Sequence, residues 1–173
     1  MQRTSFAKMQ CSLARGLELI GDWWSPLIVR DLFLDVVRFD DLVEDLGISR
    51  NLLTRRLNGL IGNGIVERKA YQVRPTRYEY RLTEAGRELV PAILALTAWG
   101  DRWAQPKEGA PILFVHKTCG QRFRPQVTCS ACGEVIRAET VLALPGPGGA
   151  AKTGTKVVAM RLRARAQPPA ARS

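Results

Sequence analysis

The chain lacks what would place it in a membrane or give it an enzyme's machinery. No apolar run approaches the roughly 20 residues needed to cross a bilayer. Its opening, Met-Gln-Arg-Thr-Ser-Phe-Ala-Lys-Met, carries no apolar stretch of the signal-peptide kind. Histidine occurs once in 173 residues. With no Gly-rich phosphate loop and no nucleophile–base constellation either, the expectation is a non-enzyme. Acidic residues are outnumbered, 16 Asp and Glu against 26 Lys and Arg, for a net charge of +10. A cytoplasmic location follows as the expectation, and there four cysteines point to metal or redox chemistry before structural disulfides.

What is present fits a globular protein of one domain with a small appendage: 46% hydrophobic and 24% charged residues. The charge is unevenly placed. Residues 1–49 sum to −3, 50–87 to +6, 88–112 to −1, 113–140 to +2 and 141–173 to +6. A basic block inside a patterned region fits a polyanion-binding face, because each neutralised phosphate releases condensed counterions. A cationic solvated surface is the alternative, and the pattern has to decide.

Periodicity supplies that pattern. Cys11 to Ile20 reads as a short helix stopped by Gly21. Ser25-Pro26 reads as an N-cap and first position of a second helix, with Leu27, Ile28, Leu32 and Phe33 turned to a core. Arg38 to Leu46 is a third helix of about two turns. Gly47 ends it, fitting a position that wants positive φ. Ser49 then caps a fourth helix, from about Arg50 to Asn63, with Leu53, Leu57, Leu60 and Ile61 buried. Two short helices around a Gly-containing turn are a helix-turn-helix signature. The period next changes to that of strands over Ile65–Tyr71 and Tyr78–Leu82, joined by the basic loop 72–77. Thr83 caps a last helix running to about Trp103, with Pro91 expected to kink or divide it. The fold class is mostly α with a small β wing, a winged helix-turn-helix. No internal repeat is present.

On the fourth helix the outward positions are Arg50, Asn51, Thr54, Arg55 and Asn58, and residues 50, 54 and 58 share one i, i+4 row. Arg can pair bidentately with guanine, Asn with adenine, and Thr can meet a thymine methyl or a phosphate. Residues 49–63 contain no acid, whereas the preceding helix carries Asp40, Asp41, Glu44 and Asp45. Such a contrast fits a helix entering the major groove while the acidic one stays clear of phosphates. Arg56 sits off this row and is expected to touch backbone; Arg74 and Arg77 of the wing are expected to reach a minor groove or flanking phosphates. The competing reading of both surfaces is ordinary solvated arginine.

Several of these stretches resemble one family. Cys11-Ser-Leu-Ala-Arg-Gly-Leu-Glu-Leu-Ile-Gly-Asp-Trp-Trp-Ser, Arg38-Phe-Asp-Asp-Leu, Gly47-Ile-Ser-Arg-Asn-Leu-Leu-Thr-Arg-Arg-Leu and Tyr78-Glu-Tyr-Arg-Leu-Thr-Glu-Ala-Gly are similar to HxlR-type winged helix-turn-helix regulators, which belong with the broader MarR group. The likeness spans about 11–104. It implies a dimeric bacterial transcription factor on pseudo-palindromic DNA, with Ser49–Leu60 as recognition helix and 66–82 as wing. Two departures stand out: Trp23 where such proteins often carry Arg or Lys, and a loop Leu34-Asp-Val-Val-Arg without the usual glycine. The resemblance also includes a cysteine at position 11, which in some members senses electrophiles or oxidants. At a helix opening the dipole can lower a thiol pKa, and a small buried apolar role is the alternative for Cys11.

Trp99 and Trp103 are i, i+4 on the last helix, which is more apolar than one winged helix can cover. Residues 88–104 with the first helix are expected to form a homodimer interface, unless the tryptophans fill the monomer's core.

His116-Lys-Thr-Cys119-Gly and Cys129-Ser-Ala-Cys132-Gly are two x₂-spaced ligand pairs, each followed by glycine. Facing each other, they would supply four donors to a closed, structural Zn²⁺, as in a small zinc ribbon. The nine-residue gap between the pairs is shorter than usual for a ribbon. A redox pair at Cys129 and Cys132, or thiols without a role, are the alternatives.

The chain thus divides into an arm, 1–10; a DNA-binding and dimerisation domain, 11–104; a linker, 105–111; a zinc-ribbon-like segment, 112–140; and a basic tail, 141–173, expected to be disordered because it has too little apolar content to offset its ordering entropy. The function expected is a sequence-specific, homodimeric regulator bound to double-stranded DNA, ahead of a zinc-bearing module that binds nucleic acid without sequence preference.

Overall fold

The structure, a computed structural model, describes residues 5–148 and 152–166. Its elements run α1 (Ser12–Ile20), α2 (Trp24–Phe33), α3 (Phe39–Leu46), α4 (Arg50–Gly62), β1 (Val66–Val73), β2 (Thr76–Leu82), α5 (Glu84–Trp103), β3 (Phe114–Val115), β4 (Arg122–Phe123), a 3₁₀ turn (Ala138–Thr140) and α6 (Lys156–Ala166). Two compact units result. One is Trp23–Ile136; the other joins the stretch before residue 23 to the stretch after residue 136.

In the first unit α2 lies at the centre, against α3, α4, α5 and β2. Ile28, Val29 and Leu32 of α2 meet Leu42, Ile48, Leu53, Leu57, Leu60, Ile65, Val66, Leu82 and Val90 in one buried cluster. Leu27 and Phe33, expected in that core, stay partly exposed, and Val29 takes the buried place. The helix also opens two residues early. Trp23 occupies the N-cap position and Ser25 lies buried inside the first turn, so Ser25 does not cap. Pro26 still falls where a missing N–H costs nothing, because first-turn N–H groups have no helical partner.

The turn from α2 into α3 solves its missing glycine with an aspartate. Asp35 takes φ 67°, the one non-glycine residue at positive φ among the described residues. A short polar side chain tolerates that region far better than a branched one. Gly47 (φ 60°) closes α3 in the left-handed conformation, buried Ile48 anchors the turn, and the Ser49 hydroxyl accepts from Leu52 N–H at 3.3 Å to start α4. This helix–turn–helix is the one the sequence spells out.

Strands β1 and β2 pair antiparallel from Val66–Leu82 to Val73–Thr76, with an irregularity between Ala70 and Gln72. They run two residues further into the basic loop than their periodicity announces, leaving only Arg74 and the cis-bonded Pro75 at the tip. The approach to α3 adds a third member: Tyr80 N–H donates to Val37 C=O at 2.8 Å, and Arg38 bridges Glu79. Helix α5 stays one 20-residue helix across Pro91 rather than dividing there.

Residues 112–136 belong to this same unit rather than forming a body of their own. Ile112 and Phe114 line a small apolar cleft with Val29, Phe33, Val90, Ile93, Leu94 and Thr97, so the segment leans on α2 and α5.

The second unit holds two helices. Glu18 of α1 accepts from Ser5 Oγ and Phe6 N–H, both at 2.9 Å, fastening the arm. Gln10 N–H donates to Thr153 C=O at 2.9 Å. The stretch expected to lack order carries α6, with Ala159 only 6% exposed. Its Ala, Arg, Met and Leu residues are strong helix formers, a preference that low apolar content does not cancel. Residues 149–151 and 167–173 of the tail, like 1–4 of the arm, lie outside the described residues.

Candidate nucleic-acid interface

Helix α4 buries Leu53, Leu57 and Leu60 and leaves Arg50, Asn51, Thr54, Arg55 and Asn58 exposed. The apolar spacing therefore sets which residues face outward. Two of the five are engaged. Arg50 Nη1 lies 2.6 Å from Asp40 Oδ1, and its guanidinium sits 4.9 Å over the Phe39 ring. Thr54 Oγ1 donates to the Arg50 carbonyl at 2.8 Å, leaving its lone pairs and methyl outward. Asn51, Arg55 and Asn58 form the exposed remainder of the ridge. Arg56 is half-buried, turned away from that ridge.

On the wing, Arg74 and Arg77 are exposed at the tip. The tip is held by Gln72 Nε2 donating to Arg74 C=O at 3.0 Å and Thr76 Oγ1 donating to Val73 C=O at 3.0 Å. Sequence reasoning confined the wing's basic groups to this loop and missed those on the strands. Arg68 of β1 lies 4.9 Å over the Tyr78 ring, and Arg38, at the N-cap of α3, lies 5.2 Å over Tyr71. Alternation along β1 was the available signal: Arg68 and Tyr80 are directly paired across the sheet. Tyr80 itself is half-buried, and burial raises its phenol above the ordinary value.

Asp31 is the acid most deeply placed beneath this surface, 1% exposed. Arg30 holds its Oδ1 at 2.6–2.7 Å, but Oδ2 has no hydrogen-bond partner among the described residues. Desolvation by burial raises its carboxyl pKa against the lowering pull of Arg30.

Outside the winged helix, Leu96, Trp99 and Trp103 line one face of α5 at 60%, 59% and 65% exposure, and Trp23 is 92% exposed. Within the unit only Trp24, of the four tryptophans, packs against the core, so these rings do not fill the monomer's interior. Cys11 stands at the N-cap of α1, half-buried, with a free thiol.

The cysteine segment consists of two hairpin turns. His116 and Cys119 lie close, Sγ to Nδ1 3.4 Å. Cys129 receives backbone N–H groups of Cys132 and Ala131 and the Cys132 thiol, all of which lower its pKa. Among the described residues no three His, Cys, Asp or Glu side chains are gathered closely enough to hold an ion.

A helix-turn-helix with a β-hairpin wing and an acid-free outer helix face defines a winged helix-turn-helix protein. The model of the HxlR-like helix-turn-helix matches residues 19–108, and the chain belongs to that family. It is 47% identical over 141 residues to the HTH-type transcriptional regulator Rv3095 of Mycobacterium tuberculosis, covering 82% of this chain and 89% of that protein. Two solved structures described as candidate transcription factors are also similar. PA1607 aligns with a TM-score of 0.71 at 34% identity, over 83% of this chain and all of that one. PA1374 of Pseudomonas aeruginosa aligns at 0.56 with 35% identity, over 84% and 99% of the two chains. The chain is thus a transcriptional regulator of helix-turn-helix type. No helix of the described residues is long and apolar enough to cross a membrane.

Proposed function

We propose that the protein is a sequence-specific regulator that binds pseudo-palindromic duplex DNA as a homodimer, α4 in the major groove and the β1–β2 wing on flanking DNA. One observation carries this reading: Asn51, Arg55 and Asn58 stand exposed along a helix that bears no acidic residue. Asn and Arg are the side chains whose geometry matches adenine and guanine edges. Arg50 joins them once it leaves Asp40, while Arg74 and Arg77 supply phosphate or minor-groove contacts. Arg56 contributes to backbone contact from the flank of α4. Two-fold symmetry sets the half-sites about one helical turn apart.

Selection of binding sites from random DNA tests the reading. A dyad-symmetric motif is expected, and Asn51→Ala with Arg55→Ala should relax it by about 1–3 kcal/mol per lost base contact. Equal affinity for all duplexes, vanishing with salt, would favour the nonspecific binder instead.

Oxidant sensing at Cys11 belongs to the same proposal. A free, half-buried thiol at a helix start supports it. Oxidant should release DNA from the native chain and not from Cys11→Ser; equal release from both assigns the thiol a packing role.

A further inference from the structure

We infer that the chain has a structural Zn²⁺ site, formed when His116, Cys119, Cys129 and Cys132 close on one ion and clamp two hairpins into a ribbon. The two turns that carry these residues are built to one backbone plan. In the first, His116 N–H donates to Gln121 C=O at 2.9 Å and Gly120 N–H to His116 C=O at 2.8 Å. In the second, Cys129 N–H donates to Glu134 C=O and Gly133 N–H to Cys129 C=O, both at 2.8 Å. Gly120 and Gly133 take the same left-handed conformation, φ 68° and 76°. Each turn places a ligand at its first and fourth residues, and each sits at the end of a strand pair, Phe114–Val115 with Arg122–Phe123 and Thr128 with Val135.

Two matched knuckles are what tetrahedral coordination by S₃N requires. Within each, the two donor side chains already approach one another: His116 Nδ1 and Cys119 Sγ at 3.4 Å, and Cys132 hydrogen-bonded to Cys129. The pairs are not gathered around a common centre, so the ion itself must bring them together. Only residues 124–126 separate β4 from Val127, whose carbonyl accepts from Ile136 N–H, so the connection between the hairpins is short.

The exposed side chains say what closure would accomplish. Val115 and Phe123 on one hairpin, and Val127, Val135 and Ile136 on the other, all remain more than a third exposed. Apolar groups on two adjoining hairpins with no core of their own are the mark of a segment too small to fold by burial alone, for which a metal supplies the missing cross-link. On binding, the three thiols release their protons to solvent, the imidazole coordinates as the neutral ring, and no oxidant takes part.

The test uses the full chain, reduced, with zinc and cobalt as probes. One equivalent of zinc per chain is expected, and cobalt should show the visible and sulfur-to-metal charge-transfer bands of tetrahedral thiolate coordination. Cys119→Ser and Cys132→Ser should each weaken metal binding more than about a hundredfold, beyond what loss of an outer-shell partner costs. Zinc should also slow hydrogen exchange at His116, Gly120, Cys129, Gly133 and Ile136 together. An octahedral cobalt spectrum, protection in one hairpin alone, half an equivalent shared between two chains, or undiminished binding by those variants would overturn the inference. The wild-type spectrum and exchange pattern decide the matter even if a variant misfolds.

Discussion

Arg50, the first residue of α4, is held at 2.6 Å by Asp40 of α3 while lying over the Phe39 ring. The acidic helix therefore occupies the first cation of the exposed α4 ridge. Both partners are well exposed, at 65% and 75%, and such pairs contribute little to stability, in the range of about 0–1 kcal/mol. Folding gains little from the pair, but DNA must break it to use Arg50.

Asp40→Asn should therefore raise DNA affinity about three- to tenfold at low salt, by releasing Arg50 and removing a charge that repels phosphate. The gain should shrink as salt rises, and thermal stability should hardly move. Fluorescence anisotropy on an operator duplex across a salt series checks this. An affinity equal to wild type at every salt concentration would mean that Arg50 takes no part in binding.

The start of α5 is fixed by a closer relationship. Thr83 Oγ1 accepts from Gly86 N–H at 3.2 Å and donates to Gly64 C=O at 2.6 Å. A Cβ at Gly86 would collide with the Ile65 carbonyl oxygen and stand 3.2 Å from Leu82. Backbone cannot yield as a flexible side chain can. Gly86→Ala is expected to cost about 1–3 kcal/mol, the usual range for overpacking, read as a lower denaturant midpoint with unchanged slope. Its effect should exceed that of Gly59→Ala, where a Cβ meets nothing within 4 Å.

How much of this the sequence announces depends on the range of the interactions involved. The helix-turn-helix is legible because each of its signals is local: Gly47 at positive φ, Ser49 capping, and Leu53, Leu57 and Leu60 recurring on one face. The exposed identity of Asn51, Arg55 and Asn58 follows from the same period. Ser25 misleads because a serine before a proline is a good cap, yet burial draws it inside the helix. Arg50's engagement is invisible, since it needs a partner ten residues away brought close by a turn. Helix α6 escaped because apolar content was weighed there and helix propensity was not. Asp35 marks the limit of pattern reading: a missing glycine is noticed, but not which residue assumes its conformation.

Asp31 gives the fold a pH dependence with a definite sign. Burial raises its pKa from 3.8 in the folded state, so the native chain binds this proton more tightly than the unfolded one. Stability from this group is greatest below the unfolded pKa and is lost as pH rises through the folded value. Asp31→Asn keeps the shape and removes the charge. Between neutral pH and about pH 4 the wild type should gain stability relative to the variant. Parallel denaturation curves at stepped pH values measure the difference, and a variant whose stability tracks wild type across that window would place the Asp31 carboxylate at its ordinary pKa.

The exposed face of α5 bears on assembly. Leu96, Trp99 and Trp103 recur at helical spacing, each more than half exposed, and large aromatic side chains carry about 150–250 Å² each to bury. Left in water, that surface favours association; placed against its own copy, it makes a two-fold contact in which the same residues serve both sides. If the proposed homodimer forms through this face, Trp99→Glu with Leu96→Glu should leave a single 19.2 kDa species in sedimentation, because two carboxylates per chain would meet their counterparts across the axis. The wing and α4 lie outside this face, so the proposed reading surface of each monomer is left intact. DNA affinity should nonetheless fall by about a hundredfold or more, the cost of losing linked engagement of two half-sites. A variant that stays dimeric, or a monomer that still holds the full operator as tightly, would move the interface elsewhere.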